Sequence, residues 1–174
     1  TGFFQKLLLS FAFVIIPYMA IEHFGFTRES LYTIYLPATV IGIFAMGAGA
    51  VFAEKRGKYK EVLVAGALLL GVAFLGFGSM GGDALFFMSV MLFFAGFSMH
   101  EPIMQSLASK YPKNAQKGAV LGIFNSFSYL GTFLGGIIGG VAIWAKLPFV
   151  LFLLSFAVVL WWIYAISKLT LPKK

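Results

Sequence analysis

Cysteine is missing altogether and charge is scarce, and each shortage closes off a class of protein. Without cysteine the chain can hold neither a disulfide framework nor a thiolate metal site. Charged residues make up 11% of its 174 residues, while 60% are hydrophobic. A water-facing domain carries roughly a quarter of its residues as charges. The shortfall makes lipid the solvent, and the chain reads as an integral membrane protein. Enzyme signatures are missing too: there is no H-E-x-x-H, no Walker loop and no dinucleotide fingerprint. Gly78-Ser79-Met80-Gly81 is too degenerate to mark a nucleophile. Neither enzymatic chemistry nor a metal or cofactor is expected.

What the chain does contain is long apolar runs. A bilayer-spanning helix needs about 20 mostly apolar residues, and six runs qualify: Phe4–His23, Ser30–Phe52, Val62–Ser79, Leu85–Leu107, Ala119–Ala142 and Leu147–Leu169. They predict an all-α membrane protein with a single six-helix domain over residues 1–174. The first run has no charged leader or small-residue cleavage site, so it reads as a spanning segment and not a signal peptide. Thr1 in place of Met suggests a piece of a longer polypeptide.

The net charge of +7 could suggest nucleic acid, but the basic residues sit in short loops, where topology determinants belong. Lys6, Lys55, Arg56, Lys58, Lys60, Lys110, Lys113, Lys117, Lys168, Lys173 and Lys174 fall on one side of the predicted membrane. Only Arg28 and Lys146 fall on the other, with Glu22, Glu29 and Asp83. By the positive-inside rule both termini and the two basic loops are cytoplasmic.

Within the runs, Glu101 is the sharpest feature. It lies about 9 Å from the inner end of its predicted helix at about 1.5 Å per residue, inside hydrocarbon, and Pro102 follows at once. An intramembrane carboxylate is a functional candidate by default; the neutral acid competes with the ionised form there, so the group can couple proton binding to a conformational change. Its bland role would be a hydrogen bond between two helices. Ser98 and Gln105, three before and four after, share its face. His100 points about 100° away, on a face with Gly96, Met104 and Leu107, which suits packing, although an imidazole can also join a proton relay.

Asn125, Ser128, Tyr129 and Thr132 form a second polar stripe on the fifth run, fit either to line a substrate cavity or to bond neighbouring helices. Gly131, Gly135 and Gly139 repeat every four residues, with Gly136 and Gly140 as a second row, a pattern that lets another helix backbone approach. Pro17, Pro37 and Pro102 fall inside predicted helices, where a proline usually kinks the helix; Pro37, near an end, is expected simply to be tolerated.

Taken together, these features resemble the C-terminal six-helix half of the major facilitator superfamily. Six helices have both ends on one side, with basic loops after the second and fourth. Ala50-Val51-Phe52-Ala53-Glu54-Lys55-Arg56-Gly57-Lys58 is similar to the family's G-x-x-x-D-R-x-G-R/K loop, with Ala50, Glu54 and Lys55 standing for the first glycine, the aspartate and the arginine. Glu101 through Gly140 looks like the family's fourth and fifth helices in this half, including the K-G-x-x-x-G run at Lys117–Gly122. The A-E-K-R-G-K-Y-K-E-V run from Ala53, with the E-x3-Q-S-L-x-S-K-x-P run from Glu101, looks closest to the YajR-like drug:proton antiporter branch.

The resemblance implies a half-bundle of two inverted three-helix repeats, and alternating access against the N-terminal six-helix half of the same transporter or a second copy. It also implies proton-coupled efflux of small organic or drug-like molecules across a bacterial inner membrane. Glu101 and His100 would be the proton-coupling candidates. Gln105, Asn125, Tyr129 and Thr132 would be the cavity candidates. Glu54, Lys55, Arg56, Gly57 and Lys58 would form the cytoplasmic gate or anchor. The rival reading is a six-helix membrane subunit or binding module that transports nothing; in it Glu101 is structural.

Overall fold

The computed structural model describes residues 1–79, 81–110, 112 and 116–170. Six α-helices make up nearly all of it: α1 Gly2–Glu22, α2 Tyr32–Arg56, α3 Tyr59–Gly78, α4 Asp83–Lys110, α5 Lys117–Trp144 and α6 Pro148–Ser167. A short 3-10 turn, Arg28–Ser30, leads into α2. All six helices are long and apolar enough to cross a membrane. Lys113, Lys173, Lys174 and Met80 lie outside the described residues.

Local chemistry sets the helix ends. Gly57, at φ 67°, takes the left-handed conformation after α2, and its N–H bonds back to the Phe52 carbonyl. Pro148 opens α6 at its first turn, where a missing N–H costs nothing. Pro17, Pro37 and Pro102 all remain inside continuous helices. Observed and expected helices agree in number and order. The helices α2, α4 and α5 run further than their apolar stretches because Glu54–Arg56, Ala108–Lys110 and Lys117–Gly118 continue the helical backbone without adding apolar surface.

The packing has a repeat in it. The most extensive contacts join α1 to α5 and α2 to α4. Exchanging the first three helices for the last three turns one pair into the other, as inverted repeats require. Beside them, α3 lies against both α4 and α6. The core between these helices is aromatic: Phe74 meets Phe93 edge-on at 5.8 Å, Phe77 lies 6.0 Å from Phe86, and Phe24 stacks on Phe86 at 4.7 Å. Large apolar side chains on the outside, among them Phe44, Phe133, Leu153 and Trp161, suit a hydrocarbon surround.

The α1–α5 seam depends on glycine. A Cβ on Gly135 would stand 2.7 Å from Ser10 Cβ and 2.9 Å from the Leu7 carbonyl oxygen, and one on Gly139 3.0 Å from Val14; at Gly131 it would run into the Phe3 carbonyl. Gly131 and Gly135 therefore do bring two backbones together, and Gly139 makes room for the Val14 side chain. Gly136 does neither: a Cβ there, or on Gly140, meets nothing within 4 Å. The second row points away from α1 because it sits about 100° round the helix from the first.

Candidate functional site

Glu101 does not stand alone. Its carboxylate, on α4, accepts hydrogen bonds from Lys6 Nζ on α1 at 3.1 and 3.2 Å, and from Gln5 Nε2 at 3.0 Å. The ion pair is half-sheltered, with side-chain exposures of 23% for Lys6 and 37% for Glu101, and Gln5 is buried. The Lys6 ammonium also lies 5.2 Å from the Phe97 ring centroid, a favourable placement for a cation. Neighbours one apart on α1, Gln5 and Lys6 reach one carboxylate because α1 crosses α4 there.

Beside the pair opens a cleft of about 80 Å³, lined by Gln5, Lys6, Glu101, Met104, Gln105, Phe124, Asn125, Ser128 and Tyr129. Five residues singled out from the sequence, Glu101, Gln105, Asn125, Ser128 and Tyr129, thus meet in one place. Gln105, Asn125 and Tyr129 are exposed on its rim. Ser128 donates to its own helix, to the Phe124 carbonyl at 2.8 Å.

The other expected members sit elsewhere. Thr132 is not part of the cleft wall; its hydroxyl donates to the Ser128 carbonyl at 3.4 Å, and its own carbonyl accepts from Ser10 at 2.9 Å. Ser98 faces α2, where a Cβ on Gly42 would lie 2.6 Å from its hydroxyl, so it does not share a surface with Glu101.

His100 is fully buried on a different side of α4. Its Nδ1 lies 2.7 Å from the Gly96 carbonyl oxygen and its Nε2 2.8 Å from that of Leu63, on α3. The ring lies 4.6 Å from that of Trp162, on α6. Gly66 makes the slot, since a Cβ there would come 2.5 Å from His100 Cε1. Successive residues of α4 therefore serve different faces, one towards the cleft and one towards the α3–α6 core.

The loop motif has its own network. The Glu54 carboxylate accepts from Lys110 Nζ at 2.7 and 2.8 Å, from Ser106 Oγ at 2.6 Å and from Tyr59 OH at 2.9 Å. The Arg56 guanidinium lies 4.6 Å from the Phe52 ring, Gly57 makes the turn, and Lys55 and Lys58 are exposed. The Glu54–Lys110 bond places the α2–α3 and α4–α5 loops at the same end of the bundle, and Lys60, which donates to the Ser167 carbonyl at 3.3 Å, brings the end of α6 there too.

The family model described as Major Facilitator Superfamily matches residues 1–174, the whole chain. The chain belongs to the major facilitator superfamily. It is 28% identical over 137 residues to the inner membrane transport protein YajR of Escherichia coli (strain K12), an overlap that covers 77% of this chain and 30% of that protein. It is 26% identical over 164 residues to an uncharacterized transporter of Buchnera aphidicola subsp. Baizongia pistaciae (strain Bp), covering 90% of this chain and 41% of that one. The chain thus spans less than half the length of either relative, and its six helices have the architecture of a major facilitator half-bundle.

Two polar members of the cleft, Gln5 and Lys6, were not expected. A signal for Lys6 did exist: it is a charged residue inside the apolar run Phe4–His23, the same feature that marks Glu101. Gln5, a polar residue in the same run, carries the weaker mark that Gln105 and Asn125 also carry.

Proposed function

We propose that this chain is one half of a proton-coupled secondary transporter that moves small organic molecules through the membrane by alternating access. The observation that carries the reading is the Lys6–Glu101 pair beside a cleft rimmed by Gln105, Asn125 and Tyr129. A carboxylate held by one cation and one amide can exist in two states. Ionised, it ties α4 to α1; protonated, it loses the charge that draws Lys6, and the tie weakens. A proton can therefore bias the relation between two helices that form the wall of one cleft, which is the coupling a secondary transporter needs.

The amide and phenol groups on the rim would supply neutral hydrogen bonds to cargo. The other wall would come from a second six-helix bundle, the N-terminal half of the same transporter or a second copy. Lys and Arg counts on the two sides of the membrane support an orientation with both termini cytoplasmic, and the resemblance supports a bacterial inner membrane. It also implies outward movement in exchange for protons. Glu54, Lys110, Ser106 and Tyr59 would act as an anchor at the cytoplasmic end, holding α2 to α4. His100 would hold α3 to α4 and stand outside the proton path.

The test is Glu101→Gln in the complete polypeptide, reconstituted in vesicles with a pH-sensitive dye. Substrate-evoked proton flux should be lost. Flux equal to that of the unaltered protein would remove Glu101 from the coupling and take the reading with it.

A further inference from the structure

The charge arithmetic of the cleft points to a class of cargo. Lys6 binds both oxygens of the Glu101 carboxylate, so in the ionised state its charge is fully answered and the pair is neutral. Among the described residues no second acid lines the cleft to replace Glu101: α1 contributes Lys6 and Gln5, α5 contributes Tyr129 with Asn125 and Ser128, and α4 contributes Gln105. His100, the next titratable group on α4, is turned into the α3–α6 side. A proton on Glu101 therefore leaves an ammonium without a counter-charge in a half-sheltered cleft, a costly state.

Resting on the transporter reading above, we infer that the cargo carries an anionic group, a carboxylate or its like, which takes the place of ionised Glu101 on Lys6 when Glu101 is protonated. The side-chain amides of Gln5, Gln105 and Asn125 and the Tyr129 hydroxyl are donors of the kind such a group accepts. Phe124 and Tyr129 offer flat apolar faces for the remainder of the molecule.

The alternatives fit less well. A cationic cargo would have to displace a tethered lysine from the carboxylate, and would then share the cleft with the displaced ammonium. An anion entering while Glu101 is ionised would meet the carboxylate. Among charged cargoes, only an anion that enters with a proton leaves the charges balanced; a neutral cargo would leave the pair ionised and carry no linkage to the proton. The linkage is reciprocal: the proton raises affinity for the anion, and the anion raises affinity for the proton by the same factor. Ligands that load together travel together, so the cleft predicts co-transport, in contrast to the exchange implied by the drug:proton resemblance.

The experiment uses the complete polypeptide in lipid nanodiscs and three probes on one ring system: naphthoate, naphthamide and naphthylmethylammonium. Binding is followed by thermal shift and by calorimetry across a range of pH. Naphthoate should bind best, with affinity rising as pH falls by up to about tenfold per pH unit, the limit for one linked proton. Glu101→Gln, which mimics the protonated acid, should keep naphthoate binding and lose its pH dependence. Lys6→Gln should lose naphthoate binding at every pH.

Preference for naphthamide or for naphthylmethylammonium, naphthoate binding that survives Lys6→Gln, or stabilisation by none of the three would each overturn the inference. The two readings fail separately. Unchanged proton flux in Glu101→Gln defeats the transport mechanism, whereas loss of flux with a cation-preferring cleft defeats only the anionic cargo.

Discussion

Glu54 and Lys110 stand 56 positions apart in the chain, yet the Lys110 ammonium donates to both oxygens of the Glu54 carboxylate, at 2.8 and 2.7 Å. Glu54 lies in the last turn of α2 and Lys110 ends α4, and Tyr59 and Ser106 donate to the same carboxylate. Both ions are well exposed, at 47% and 42%, so solvent screens them. The pair should therefore be weak in stability terms. A double-mutant cycle of Glu54→Gln with Lys110→Gln, read by thermal denaturation in detergent, should return a coupling of about 0.2–1 kcal/mol. A coupling several times larger would mean that this end of the bundle is closed to water.

The Lys6–Glu101 pair should behave differently because it is sheltered. Lys6→Met leaves a carboxylate without its cation and should be more destabilising than the double change Lys6→Met with Glu101→Leu, which removes both charges. That ordering follows from the cost of an unpaired charge in a low-dielectric place. Unfolding midpoints of the two variants, measured side by side, decide it. A double variant less stable than the single one would contradict the assigned pairing.

The glycine seam can be tested against its own control. Gly135→Ala should cost about 1–3 kcal/mol, the usual range for overpacking, because its new Cβ would meet Ser10 and Leu7. Gly136→Ala should change stability by less than about 0.5 kcal/mol, since space there is open. Equal losses at the two neighbours would refute the seam.

His100 should be a folding residue. His100→Ala empties a slot bounded by Gly66, Leu63 and Trp162 and should cost about 2–5 kcal/mol, in the manner of other large-to-small core changes. In whatever fraction folds, proton coupling should persist. A well-folded His100→Ala protein with lost proton flux would place the imidazole in the proton path after all.

Helix number and order were legible because each apolar run is long enough to cross the membrane by itself. The ends were legible only to within a few residues. Lys110 terminates α4 three residues past Leu107, because helix backbone continues through polar side chains that hydropathy does not count. Asn125, Tyr129, Gln105 and Glu101 could be gathered in advance, since a polar residue in an apolar helix must face protein or water. Pairing was another matter. Lys6 meets Glu101 across 95 positions, and nothing local in the sequence says that α1 crosses α4 at that level. Gly136 shows the same limit: the spacing marked two rows of small residues, but only the position of α1 decides which row is covered.

The seam of Gly131, Gly135 and Gly139 has a mechanical meaning. With no α5 side chain to hold them apart along that seam, α1 and α5 form a single plate, and Lys6 and Asn125 are fixed on it like two studs. A change in the distance from Lys6 to Glu101 must then be taken up by α4. That helix also carries Ser106 and Lys110, which hold Glu54. One lever would thus have its short arm in the cleft and its long arm at the loop, and a proton taken up at Glu101 would be felt by Glu54 at the end of α2.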